Sequence, residues 1–261
     1  MIDKSKLTIG SDPEFFCEVD GEIVSSIGII PGDKYSIVKV EEFFVFKDNV
    51  LVEGNIPPAK SKEEFVGYMK GLKKVIKTYF DVTTISKNSH AFTKAQLRDS
   101  EANIFGCEAY SCAWDAKGIE IHAADLSKYM SRTAGFHIHI GYTLTSDAIA
   151  KKDMNLALAR AFDYFCVIPA REKAPDSFRD ENYGALGSYR DKPYGLEVRG
   201  LGAFFSQDEY LEWVYDRTID SIDYCSIQEN VNKLLSLESE PAFTGPEYQQ
   251  LGIDYNKIKL N

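Results

Sequence analysis

Four short segments of this 261-residue chain each carry two polar residues separated by one position. Asp12 and Glu14 lie in Gly10-Ser-Asp-Pro-Glu-Phe-Phe16, and Glu53 and Asn55 in Asn49-Val-Leu-Val-Glu-Gly-Asn-Ile56. His137 and His139 lie in Gly135-Phe-His-Ile-His-Ile-Gly141, and Glu197 and Arg199 in Tyr194-Gly-Leu-Glu-Val-Arg-Gly200. Side chains alternate across a strand, so each pair projects from one side while Pro13, Gly54, Ile138 and Val198 face the other. On one shared sheet the pairs would gather four carboxylates (Asp12, Glu14, Glu53, Glu197), two imidazoles and a guanidinium. Carboxylates that crowded repel unless cations neutralise them, so removing one charge, as in Glu197→Gln, is expected to relieve the metal-free protein. Hard oxygen donors in that number favour Mg2+ or Mn2+ over Zn2+. Divalent ions beside Arg and Lys suit the holding of a triphosphate and the stabilisation of a phosphoryl group in transfer.

Taken singly, each pair has a plainer explanation. Asp-Pro-Glu suits a solvated strand edge or turn. His-Ile-His suits two hydrogen-bonded histidines, and Glu-Val-Arg a same-face surface ion pair. One shared face accounts for all four together. His90 and His122 receive no role.

The elements that would position these pairs are legible in outline. Strands are expected at Lys6–Val19, Glu22–Ile30, Tyr35–Phe46 and Asn49–Ile56, with turns at Asp20-Gly21, Pro31-Gly32 and Lys47-Asp48-Asn49. Ser61 and Glu64 form a capping box ahead of a helix with Phe65, Met69, Leu72, Val75, Ile76 and Tyr79 at helical spacing. A second helix is expected from about Ala148 to Ile168, with Leu158, Ala161, Phe162 and Phe165 on its apolar face and Pro169 ending it. A third starts at a Ser206–Glu209 box and runs, with a break, through Leu235. Further strands are expected around Ser89–Phe92, Arg132–Tyr142 and Leu196–Phe205. Hairpins with interposed helices describe an α+β fold with a mostly antiparallel sheet, one face open and concave, the other packed by helices. No GxGxxG or GxxxxGK[ST] motif follows any strand, which argues against a dinucleotide fold and a P-loop.

Composition narrows the function classes. Hydrophobic residues make up 44% and charged residues 27%, enough for a buried core. Lys plus Arg number 30 against 40 Asp plus Glu, a net charge of −10, which opposes general nucleic-acid binding. The five cysteines show no CxxC pair, so neither a zinc ribbon nor a disulfide framework is expected. With no apolar leader and no run long enough to span a membrane, the expected location is the cytoplasm.

In order along the chain, Ser11-Asp-Pro-Glu-Phe-Phe16, Glu53-Gly-Asn-Ile-Pro-Pro58, Arg132-Thr-Ala-Gly-Phe-His-Ile-His-Ile-Gly141 and Tyr189-Arg-Asp-Lys-Pro-Tyr-Gly-Leu-Glu-Val-Arg199 resemble the motifs of phage-type carboxylate–amine ligases (COOH–NH2 ligase, type 2 amidoligase). These belong to the glutamine synthetase and glutamate–cysteine ligase superfamily. The resemblance spans about Leu7 to Phe205, and Gly106–Trp114 also looks like a family segment. It implies a glutamine synthetase-like catalytic domain over residues 1–261, ATP and Mg2+ (or Mn2+) as cofactors, and host cytoplasm if phage-encoded. It implies Asp12, His137 and Glu197 on one metal ion, and Glu14 with Glu53 on another. His139, Arg190 and Lys192 would face the nucleotide phosphates and Arg199 the transferred phosphoryl group; Arg199, Arg190 and Glu53 would form the catalytic set. Asn55 and Lys34 are the residues assigned to substrate, a small-molecule or peptide amine and a carboxylate. Two departures stand out. Phe136 replaces a family glycine and is expected to narrow the approach to the site, and Gly202-Ala203-Phe204 replaces a more polar run.

From the residues alone two other readings stay open: a metal-dependent hydrolase working through His137, His139 and the carboxylates, and an inactive binding protein on the same fold. An oligomer is compatible with each.

Overall fold

The alternation read from Ser11-Asp-Pro-Glu-Phe-Phe16 produces the longest strand of the protein. The computed structural model describes residues 1–103, 110–115, 120–121 (backbone only), 128–146 and 148–260. Strand β1 covers Thr8–Val19, and β2 (Glu22–Val24) returns against its end through the Asp20-Gly21 turn. Next come β3 (Val38–Val40), β4 (Phe43–Asp48) and β5 (Leu51–Asn55), then helix α1 (Lys62–Phe80). Strands β6 (Thr83–Ile85), β7 (Ser89–Ala91), β8 (Tyr110–Cys112), β9 (Glu120–Ile121), β10 (Ser131–Thr133) and β11 (Phe136–Gly141) precede α2 (Lys151–Phe162). Helices α3 (Ile168–Lys173) and α4 (Ser177–Asn182) lead to β12 (Ser188–Lys192) and β13 (Gly195–Val198), followed by α5 (Leu211–Cys225) and α6 (Gln228–Leu235).

Among the described residues the main sheet runs β3-β4-β5-β1-β11-β13-β12-β8-β9, with β2 and β6 also paired to β1 and every pairing antiparallel. The fold is α+β, as expected. Helices cover one face. Phe65, Met69, Leu72, Val75 and Ile76 of α1 are buried there, and the Cβ that Gly54 lacks would fall 2.6 Å from Leu72 Cδ1. Glycine is therefore what lets α1 approach β5. Tyr79, placed on that apolar face by its spacing, is 55% exposed instead and donates to Glu41. The Ser61 cap forms, accepting from the Glu64 N–H, but the Glu64 carboxylate reaches back to the Lys60 N–H. No described helix is long and apolar enough to cross a membrane.

Other sequence expectations are corrected as well. Tyr35–Phe46 is not one strand but a hairpin, because Glu41 adopts a left-handed φ of 54° between β3 and β4. Pro169 does not end its helix. Residues Asp163–Val167 form a π turn that carries the chain into α3, with Pro169 at the start of the new segment. Proline offers no N–H to the turn before it, and the Tyr164 carbonyl there accepts from the Tyr248 hydroxyl at 2.9 Å. The Ser206–Glu209 box does not form either: the Ser206 hydroxyl donates to the Ala203 carbonyl, and α5 begins at Leu211. The expected break occurs, between the end of α5 at Cys225 and the start of α6 at Gln228.

Strand β13 also stops at Val198, short of the Phe205 expected. A buried guanidinium explains this. Arg179 of α4 donates to the carbonyls of Gly200 (2.9 Å), Leu201 (2.8 Å), Arg199 (3.4 Å) and Ala134 (3.3 Å). The carbonyls of Arg199 and Gly200 thus find a cation in place of a neighbouring strand, Leu201 accepts from the Phe136 N–H as well, and the same guanidinium ties the exit of β13 to the entry of β11. Asp163 in the π turn makes a second tie, one carboxylate oxygen accepting at 2.6 Å from both Trp114 Nε1 and the Gly187 N–H. Burial pushes the Asp163 carboxyl up to about 7 despite those two donors.

Replacing Arg179 by Met should lower the unfolding free energy by about 3 kcal/mol, since the buried carbonyls of Gly200 and Arg199 lose this donor while those of Leu201 and Ala134 keep only the Phe136 and Ala203 N–H groups. Urea unfolding measures this, and a loss below about 1 kcal/mol would contradict the clamp. For Asp163 the folded pKa lies above the unfolded one. From about pH 4 to 7 the unfolded chain releases a proton that the folded protein keeps, so stability falls with rising pH. Asp163→Asn should remove that fall, gaining on the wild type by up to about 4 kcal/mol across the window. Parallel stability–pH curves for the two proteins would refute it.

Candidate functional site

The open face of the sheet carries the paired residues, and cross-strand register determines which meet. Asp12 lies opposite His137, and Glu14 opposite Glu53. His139 lies opposite Glu197, and Glu197 opposite Arg190. Directly opposed residues share a face, so β1, β5, β11, β13 and β12 point these groups to one side. The intervening Ile138 and Val198, fully or nearly buried, point into the core.

The acidic groups divide into two sets. Asp12, His137 and Glu197 offer one donor atom each, all within 4.8 Å of one another, and Glu14, Asp48 and Glu53 do the same. Two oxygens on a single Mg2+ lie up to about 4.2 Å apart, so small side-chain movements would close either set on a cation. Asp12 Oδ1 lies 2.9 Å from His139 Nε2 and 3.3 Å from His137 Nδ1, yet it is buried without a well-aligned hydrogen bond. An oxygen in that state suits a metal ion, and the all-carboxylate second set suits a hard one.

Charge compensation differs between the sets. Glu197, fully buried, meets Arg199 directly, Lys192 Nζ at 2.7 Å and Arg190 Nη1 at 3.5 Å. Burial and Asp12 push its carboxyl up, but Arg199 and the two histidines outweigh them and hold it at about 2. The expected relief in Glu197→Gln is therefore corrected, since this carboxylate is neutralised by its neighbours. Burial likewise opposes ionisation of Asp12, and His139 and His137 hold it well below the usual carboxylate range. The second set carries the excess charge. Burial, then Asp12, Asp48 and Glu14, drive Glu53 well above its ordinary value, and burial with Glu14 lifts Asp48 to about 6.

Lys34 acts on this second set, its charge drawing Asp48 back down, and its ammonium lies 5.1 Å from the Tyr35 ring centre. Asn55 sits on the open face two residues beyond Glu53, opposite Phe44. Phe136 does not narrow the approach, because it lies opposite Pro13 on the packed face and is fully buried. Gly135 before it is the constrained position: a Cβ there would fall 2.5 Å from His137 Nε2. Residues 104–109, including Cys107 and much of the Gly106–Trp114 segment, lie outside the described residues, as does His122.

Sequence reasoning gave three members of the site no individual role, although it placed Tyr183–Tyr189 near the substrate pocket. Asp48 was absorbed into a turn, although it shares strand parity with Phe46, which lies opposite Glu53. Tyr183, at the end of α4, places its hydroxyl between His137, Glu14 and Arg199, and nothing in its local sequence marks it. Tyr194 meets His139 Nδ1 at 2.5 Å with the rings stacked 5.9 Å apart. It also lines a cleft of about 450 Å³ with Pro193, Tyr142, Leu144, Lys6 and Lys151.

No protein-family model and no curated protein sequence matches the chain. Among solved structures it is similar to a bifunctional glutathione synthetase from Pasteurella multocida, at 11% identity and a TM-score of 0.51, over 98% of this chain and 46% of that one. It also matches a novel glutamine synthase homolog at 13% identity and a TM-score of 0.34, over 85% of this chain and 56% of that one. The chain spans about half the length of each. The first likeness shows that the fold is shared.

Proposed function

We propose that this protein is an ATP- and Mg2+- (or Mn2+-) dependent carboxylate–amine ligase of the amidoligase kind, built as one catalytic domain over residues 1–261 and acting in the cytoplasm. One observation carries the reading: two sets of side chains able to ligate a metal share an open sheet face with Arg190, Lys192 and Arg199. The likeness to the bifunctional glutathione synthetase, though it speaks only for the fold, is compatible with it.

A carboxylate is a poor acyl donor because its leaving group would be oxide. Transfer of the γ-phosphoryl group of ATP to a carboxylate oxygen releases ADP and makes an acyl phosphate. An amine then attacks the acyl carbon, phosphate departs, and the nitrogen gives up a proton to form the amide. Asp12, His137 and Glu197 would hold one cation, and Glu14, Glu53 and Asp48 the other. Bound there, the cations would neutralise triphosphate charge. His139, Arg190 and Lys192 would orient the phosphates, and Arg199 would stabilise the phosphoryl group in transfer. The cleft beside Tyr194 would take the nucleoside end. Asn55 and Lys34 would contact a small-molecule or peptide substrate, Lys34 by pairing with its carboxylate.

ADP release by the purified protein with Mg2+, across panels of amines and carboxylates, tests the reading. Release should require both substrates and fall at least about 100-fold in Glu197→Gln and His137→Ala with the fold intact by circular dichroism. Hydrolysis without nucleotide would favour a metal-dependent hydrolase, and neither reaction a binding protein. A second test concerns charge. Ionised Glu53 opposes folding as pH rises above its ordinary value, whereas ionised Glu197 supports folding until pH falls toward 2. At pH 7.5 without metal, Glu53→Gln should melt several degrees above wild type and Glu197→Gln several degrees below. The reverse order would contradict the described charge balance.

A further inference from the structure

The Tyr183 hydroxyl is buried and touches one group from each acidic set together with the cation between them. It lies 3.0 Å from His137 Nε2 and 3.4 Å from Glu14 Oε1, and it accepts from Arg199 Nη2 at 2.5 Å. Its ring is held by the guanidinium groups of Arg179 and Arg199, 5.6 and 5.7 Å from the ring centre. We propose that Tyr183 is the positioning residue for His137: it accepts from Nε2, aims Nδ1 at Asp12 and Glu197, and links the two sets that would hold a metal.

Counting donors leads to this assignment. A phenol has one hydrogen and two lone pairs. Arginine can only donate, so Arg199 takes one lone pair. The Glu14 carboxylate can only accept, so the hydroxyl hydrogen goes to it. The third contact is then a hydrogen bond only if His137 Nε2 carries its proton and donates to the remaining lone pair. On the other side of the imidazole, Arg199 Nη1 lies 3.4 Å from His137 Nδ1. Nδ1 also faces Asp12 Oδ1 at 3.3 Å and Glu197 Oε1 at 3.9 Å. A histidine that ligates a metal through one nitrogen commonly has its orientation set by a partner on the other, and loss of such a partner weakens metal affinity about 10–100-fold.

The inference rests on the metal-binding part of the proposed function and not on the amide chemistry. It is tested on the full chain with Tyr183→Phe, which keeps the ring and removes only the hydroxyl. Long-range 1H–15N spectra of metal-free, 15N-histidine-labelled protein, assigned by single-histidine substitutions, report the tautomer. The wild type should hold His137 with the proton on Nε2, and Tyr183→Phe should lose that uniform state. Mn2+ titration without nucleotide, followed by electron paramagnetic resonance, should show affinity at least about 10-fold weaker in Tyr183→Phe with an unchanged circular dichroism spectrum. A wild type whose His137 Nε2 carries no proton, an Nε2 proton and Mn2+ affinity untouched by the substitution, or a wild type that binds no Mn2+ would each overturn the inference. Tight Mn2+ binding without ADP release would overturn the ligase reading alone and leave the role of Tyr183 standing.

Discussion

A carboxylate taken out of water must find a cation or keep its proton, and the open face of this sheet is arranged around that constraint. Five carboxylates (Asp12, Glu14, Asp48, Glu53 and Glu197) meet there within two sets. One set is compensated from within: Glu197 by Arg199, Lys192 and Arg190, and Asp12 by the two histidines. The other has mainly Lys34, Arg199 and Arg190 acting on it at longer range, and Glu53 and Asp48 are pushed toward their protonated forms. This asymmetry means that a cation arriving at Glu14, Asp48 and Glu53 meets the larger unneutralised charge.

The scaffold beneath depends on a second buried charge. Arg179 gathers carbonyls from the entry of β11 and the exit of β13, the strands that carry His137 and Glu197. Its own helix ends at Tyr183, whose ring lies against the same guanidinium. One cation thus positions the backbone of two site strands and the side chain that joins them. Asp163 extends the framework by holding Gly187, between Tyr183 and β12. None of these ties is a hydrogen bond to a carboxylate of the two sets, although Glu14 acts on Arg179 through its charge.

Much of this is legible in the chain. Alternation in Asp-Pro-Glu, His-Ile-His and Glu-Val-Arg identifies same-face pairs because a strand has period two, whatever its neighbours. The capping serine and apolar spacing of α1 announce that helix. The readings that failed did so where local chemistry was overruled from a distance. Pro169 looks like a helix end until a π turn and the Tyr248 hydroxyl satisfy the backbone around it. Ser206 looks like a cap until its hydroxyl turns to Ala203. Phe136 looks like an obstruction until strand parity sends it into the core.

What the sequence determined by itself is therefore the set of side chains sharing each strand's face, since that follows from backbone geometry alone. Only the tertiary structure decided which strands lie side by side, and so which carboxylate meets which cation. It alone drew Asp48 and Tyr183 into the site, because cross-strand register and the docking of α4 depend on partners far away in the chain.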